Sequence, residues 1–169
     1  MGLARWLRHR LQLPGAVNRA LPPAALDRIE KAVATTEATH CGEIRLAVEA
    51  SLPASYLRRD APVRQRAEMM FAKLRVWDTD ERNGVLIYVE LADHGIEIVA
   101  DRGVARVVPT DAWPPIVAAM AERLRAGDFA GGMVAGIEQV GRILAQHFPA
   151  RAGQANANEL PNRPVILGR

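Results

Sequence analysis

The stretch from Arg82 to Gly103, RNGVLIYVELADHGIEIVADRG, constrains the fold more than any other part of the sequence. Its two apolar runs, Val85 to Leu91 and Ile96 to Ala100, are rich in the β-branched and aromatic residues that suit a pleated surface. Between them Ala92-Asp93-His94-Gly95 supplies a tight turn, in which Gly95 can take positive φ at small steric cost. With Asp93 and His94 at the turn centre, Ile87, Val89, Leu91, Ile96, Ile98 and Ala100 share one face. Leu86, Tyr88 and Val99 then share the other, and Glu90 stands opposite Glu97. Because both faces carry apolar side chains, the hairpin is expected between two helical layers.

The remaining segments fit around it. Leu21-Pro22-Pro23 opens a helix that runs to about Thr39, with Leu26, Ile29 and Val33 inward. Ile44 to Val48 alternates as a strand. Asp60 is placed to cap a helix running to about Val76, which makes the strands on either side of it a parallel β-α-β unit. Asp111 caps a helix with Trp113, Ile116, Val117, Met120 and Leu124 on one stripe. Asp128 starts the last helix, whose Gly131, Gly132, Gly136 and Gly141 point to close backbone packing rather than to a phosphate loop. The expected fold class is α/β, a three-layer α/β/α sandwich with a small mixed β-sheet containing one β-hairpin. The organisation reads as a basic amphipathic extension over 1–20, the α/β domain over 21–149, and a flexible tail over 150–169 whose apolar end can dock.

Charge is distributed unevenly. The net +3 arises from +4 in residues 1–20 and +2 in 151–169, set against −3 in the body. A body without clustered positive charge argues against a nucleic-acid binder. The extension carries Leu3, Trp6, Leu7 and Leu11 on one stripe and Arg5, Arg8, His9 and Arg10 around the rest. Two readings stand: a membrane-surface helix, or an extension whose apolar stripe packs on its own domain or on a partner. With no leader-like segment, no apolar run of about 20 residues and one cysteine, Cys41, the chain reads as cytoplasmic and at most peripheral to a membrane.

One polar constellation converges. The loop holding Asp78, Asp80 and Asn83 enters the hairpin at its open end, and Asp101 leaves there, with Asp111 a short loop later. Carboxylates, an amide and loop carbonyls are the hard oxygen ligands that Ca²⁺ or Mg²⁺ takes. The other reading is that these acids are caps and solvated loop residues. His9, His40, His94 and His147 lie on separate elements without a nucleophile at motif spacing.

Several stretches together resemble the TPM domain family: Gly42-Glu43-Ile44-Arg45, Trp77, Asn83 to Val89, Glu97-Ile98-Val99 with Gly103, Thr110-Asp111-Ala112, and Gly127-Asp128-Phe129-Ala130-Gly131-Gly132. The resemblance implies an α/β/α sandwich, calcium binding, the acid phosphatase activity of a photosynthetic branch, and maintenance of membrane complexes. Family-type acidic positions map to Asp111 and the loop around Asp80. Ala100-Asp101-Arg102-Gly103 departs from a usually glycine-rich stretch, and the family's export signal and membrane helix are not seen. The expectation is a non-enzymatic accessory module whose basic tails meet a membrane surface or membrane protein, with a Ca²⁺ or Mg²⁺ site on the rim. The alternative is a metal-assisted phosphatase using that acidic rim.

Overall fold

The computed structural model describes residues 3–12, 15–151 and 158–168. A four-stranded sheet is ordered β3-β2-β1-β4, with β1 Glu43–Glu49, β2 Gly84–Glu90, β3 Gly95–Ala100 and β4 Val165–Leu167. β1 lies parallel to both β2 and β4, and β3 closes the hairpin antiparallel to β2. The sheet is mixed, and helices cover both of its faces.

One face is buried by α3 (Pro23–Glu37), α7 (Trp113–Arg125) and α8 (Phe129–His147). Ile44, Leu46, Val48, Val85, Ile87, Val89, Ile96 and Ile98 meet Ile29, Val33, Met120, Ile137 and Leu144 there. The other face packs Ala47, Leu86, Tyr88 and Val99 on Ala67 and Met70 of α5 (Val63–Lys73). This is the three-layer sandwich. The glycines of α8 let it close on its neighbours: a Cβ at Gly136 would lie 2.4 Å from Met120 Sδ, and one at Gly141 2.7 Å from Thr36 Cβ.

The hairpin differs from expectation in register. Glu90 pairs with Gly95, Tyr88 with Glu97 and Ile87 with Ile98, so Glu97 faces Tyr88 rather than Glu90. The slip is by two positions, and side chains alternate with period two, so every residue keeps its face. His94, not Gly95, takes the left-handed conformation, at φ 54. Gly95 is needed for a different reason: a Cβ there would meet Val63 at 2.8 Å.

Two expected caps are absent. Asp60 has φ 52 and pairs with Arg5, while α5 begins behind Pro62 without a side-chain cap. Asp111 sits in a 3-10 turn, Thr110–Ala112, and α7 also starts uncapped. Asp128 does cap α8, accepting from Gly131 N–H at 2.9 Å. The helix expected over 60–76 is the shorter α5, and the short α4 (Ala54–Arg58), which was not expected, precedes it. The tail expected to be flexible over 150–169 supplies β4, which covers the edge of β1 because its apolar Val165, Ile166 and Leu167 have a strand to pair with. Residues 152–157 and 169 of that tail lie outside the described residues.

The extension forms α1 (Leu3–Arg10) and α2 (Ala16–Ala20), and α1 docks with its charged side inward. Leu7 and Leu11 of the expected apolar stripe are 42% and 72% exposed, whereas His9 is 5% exposed. Among the described side chains of that stripe, Trp6 packs inward, against the cluster of Leu52, Tyr56, Leu57 and Ala61. Leu3 has no described side chain.

Candidate functional site

The rim lies where β1 and β2 begin and β3 ends. Asn83 is 1% exposed. Its Nδ2 donates to the Cys41 carbonyl at 2.7 Å, and its backbone N–H donates to Thr79 Oγ1 at 3.0 Å. Asp101 is 5% exposed; its backbone N–H donates to the Gly84 carbonyl at 2.9 Å, and its Oδ1 accepts from Arg102 N–H at 2.6 Å. Gly103 N–H donates to the Arg82 carbonyl at 2.9 Å, and a Cβ on Gly103 would lie 2.4 Å from that oxygen. The short helix after β3, α6 (Arg102–Ala105), is therefore folded tightly onto the loop before β2.

Two oxygens in this knot, Asn83 Oδ1 and Asp101 Oδ2, are buried with no hydrogen-bond partner. A buried acceptor left unpaired costs about 1–3 kcal/mol, so each is a place where a cation or water would be stabilising. The other expected site residues are less confined. Asp78 is exposed and pairs with Arg75 at 2.6 Å. Asp80 is exposed, and its backbone N–H donates to the Glu159 carboxylate at 3.1 Å. Asp111 is exposed on its 3-10 turn. Among the described residues, no three of these carboxylates approach within 4.8 Å of one another. What the rim offers is two buried oxygens, not a ready cage of acids.

Comparison with known proteins reaches the same frame. A family model described as "TPM domain" matches residues 18–143. The chain belongs to the TPM domain family. The NMR structure of the BA42 protein from the psychrophilic bacterium Bizionia argentinensis superposes with a TM-score of 0.75 at 32% identity, over 86% of this chain and 94% of that one. No curated protein matches.

The matched TPM domain leaves out α1 and β4, and a second polar cluster joins α1 to it. At the opposite end of the sheet, Arg5, Arg8 and His9 of α1 meet Asp93 in the hairpin turn. Arg5 Nε donates to Asp93 Oδ2 at 2.7 Å, Arg8 donates to Oδ1 at 3.1 Å, and His9 Nε2 lies 3.2 Å from Oδ2 without hydrogen-bond alignment. Arg5 also donates to Asp60 and to the Ala61 carbonyl. Burial pushes the Asp93 carboxyl up, but the contacts with Arg5 and His9 outweigh it and hold the group below the usual carboxylate range. Glu90 is fully buried; desolvation raises it to about 7 against the pull of the Asp93 and Ala92 N–H groups it accepts from.

His9, Glu90 and Asp93 come close enough to suggest a metal centre, with ligand atoms within 4.8 Å of each other. Their lone pairs are otherwise engaged. Both Glu90 oxygens accept backbone N–H groups, His9 Nδ1 accepts from Leu52 N–H, and two guanidinium groups stand against Asp93. The cluster is a latch between α1 and the TPM domain. The signal for it was present in the sequence: Arg5, Arg8 and His9 fall at i, i+3 and i+4 on one helix face.

Proposed function

We propose that this TPM domain is a non-enzymatic accessory module acting at a membrane surface, and that the α1 side of the molecule is the face that docks. The observation carrying this reading is the inverted seating of α1. Its charged side is spent on Asp93 and Asp60, so Leu7 and Leu11 are turned outward. Exposed leucines on a short helix fixed to a rigid domain suit shallow insertion at the interface of a bilayer, where an isolated helix of this length would bind weakly. Internal pairing of Arg5 and Arg8 also means that the +4 of the extension overstates its attraction for anionic lipid. Among the described residues no helix is long and apolar enough to cross a membrane, and the reading is of a peripheral protein on the cytoplasmic side.

Co-sedimentation with phosphatidylglycerol-containing vesicles tests it. Leu7→Ser/Leu11→Ser should bind about tenfold more weakly than the parent, corresponding to about 1.4 kcal/mol of lost apolar transfer. Equal sedimentation of both proteins would overturn the membrane reading.

A second reading rests on a separate observation, the two unpartnered oxygens of the rim. Asn83 Oδ1 and Asp101 Oδ2 would give a Ca²⁺ or Mg²⁺ ion hard ligands, with exposed Asp80 and Asp111 nearby in the chain to complete its shell. Such an ion would supply the charge that a metal-assisted phosphatase sets against a phosphoryl oxygen.

A further inference from the structure

A groove of about 670 Å³ lies between α1, α2, the hairpin turn and the start of α8. Its lining is of two kinds. Arg8, Arg19 and His94 supply nitrogen donors, while Leu11, Leu91 and Phe129 supply an apolar wall. None of the residues lining it is acidic. Arg8 gives one N–H to Asp93, and a guanidinium has five, so its remaining donors are available to a further anion. The groove opens beside Leu11, which is 72% exposed, on the side of the molecule assigned above to the membrane.

We propose that this groove holds one anionic phospholipid, its phosphate against Arg8, Arg19 and His94 and an acyl chain along Leu11, Leu91 and Phe129. The inference rests on the membrane reading and gives that face a ligand. A free phosphate would engage only the cationic half and leave the apolar wall against water. A zwitterionic or neutral amphiphile would satisfy the wall but bring no net negative charge to the arginines. An anionic amphiphile complements both halves at once, which is why a planar scatter of surface charge would not substitute for the groove.

The test is an amide-resolved NMR titration of the full chain with dihexanoyl phosphatidylglycerol below its micelle-forming concentration. Inorganic phosphate and dihexanoyl phosphatidylcholine are titrated in parallel. Saturable shifts are expected at Gln12, Arg19, Leu91, His94 and Phe129, with an affinity at least tenfold tighter than for either comparator. Arg19→Gln, on an exposed position, should weaken binding about tenfold while leaving the Arg5 and Asp93 resonances in place. Equal affinity for phosphate would reduce the groove to an anion site, equal affinity for phosphatidylcholine would reduce it to an apolar one, and an unaltered Arg19→Gln titration would remove its charged half. Each of those results overturns the proposal. Vesicle sedimentation separates it from the reading beneath it: loss of vesicle binding with retention of the short-chain lipid sinks only the membrane reading, and the opposite pattern sinks only the groove.

Discussion

Arg5 and Asp93 stand 88 residues apart in the chain, yet Arg5 Nε reaches Asp93 Oδ2 at 2.7 Å. Both side chains are largely buried, at 18% and 11% exposed. The pair ties a helix outside the matched family region to the tip of the hairpin inside it. It also orients that helix, because a carboxylate accepting from two arginines selects which side of α1 turns inward.

Asp93→Ala should therefore release α1. Removing the acceptor leaves the Arg5 guanidinium with only exposed Asp60 and the Ala61 carbonyl as partners, and a loss of about 1–3 kcal/mol is expected in denaturant melts. Arg8→Ala, whose side chain is 55% exposed, should cost less than about 1 kcal/mol. Hydrogen exchange through α1 is the direct check: it should rise sharply in the first variant and little in the second.

Stability should fall on the alkaline side. Desolvation pushes Glu37 to about 8 and Glu90 to about 7, so the native state holds these protons more tightly than the unfolded chain does. A raised carboxyl pKa contributes stability that is fully present below the unfolded value near 4.3 and is lost as pH rises through the folded value. Between pH 5 and 9 the expected loss is on the order of several kcal/mol, most of it from Glu37. Glu37→Gln keeps an acceptor for Ile44 N–H, now 3.0 Å from Glu37 Oε1, and should flatten that slope in thermal melts across the range.

Two glycines should respond very differently to alanine. A Cβ at Gly84 would lie 2.0 Å from the Val76 carbonyl oxygen, which is backbone and cannot step aside. Gly84→Ala is expected to cost at least about 3 kcal/mol. At Gly127, with φ +82 and no atom within 4 Å, only left-handed strain applies, and the cost should be about 1 kcal/mol. Chemical denaturation of the two variants separates the effects.

If the rim takes a cation, Ca²⁺ should raise the melting temperature beyond the effect of NaCl at matched ionic strength. At a hundred times its Kd a bound ion contributes about 2.7 kcal/mol. Asn83→Ala and Asp101→Asn should each remove most of the rise, since they alter the two buried oxygens without partners. A calorimetric scan showing identical shifts with Ca²⁺ and NaCl would return the rim to caps and solvated loops.

The strap leading to β4 should matter more than its length suggests. Leu160 is 6% exposed, packs with Ala47 and Leu86, and its N–H donates to Glu43 Oε2 at 3.1 Å. Leu160→Ala should cost about 2–4 kcal/mol, read from urea midpoints at unchanged m.

The hairpin, the helices of the body and the sandwich were legible because hydrophobic period is a local signal that burial enforces. A two-residue error in register left Ile87, Val89, Ile96 and Ile98 on the correct face, since parity and not pairing decides burial. Capping was less legible: Asp60 and Asp111 stand where caps belong, but Asp60 is drawn to Arg5 and Asp111 is taken up in a 3-10 turn. The seating of α1 inverted because amphipathicity shows which side is apolar, while two arginines and a histidine with a largely buried acid to meet can outweigh Leu7 and Leu11. β4 was the hardest to read. Three apolar residues behind a run of Asn and Pro carry almost no local pattern, and their partner strand is fixed only in the fold. Of the rim, chain order placed Asn83 and Asp101 at one end of the sheet; which of their oxygens would be left without partners depends on packing that no spacing encodes.

The position of β4 bears on how the chain must be made. Arg45 of β1 hydrogen-bonds the Arg163 carbonyl, 118 residues further on. On a ribosome β1 emerges early, and β2 can pair with one of its sides soon afterwards. Its other side stays an open row of amides and carbonyls until the strap has been synthesised, an interval of several seconds at ordinary elongation rates of about 5–20 residues per second. During that interval the nascent chain is most exposed to pairing with the wrong strand, so expression level and chaperone supply should govern the yield of this protein more than its equilibrium stability does.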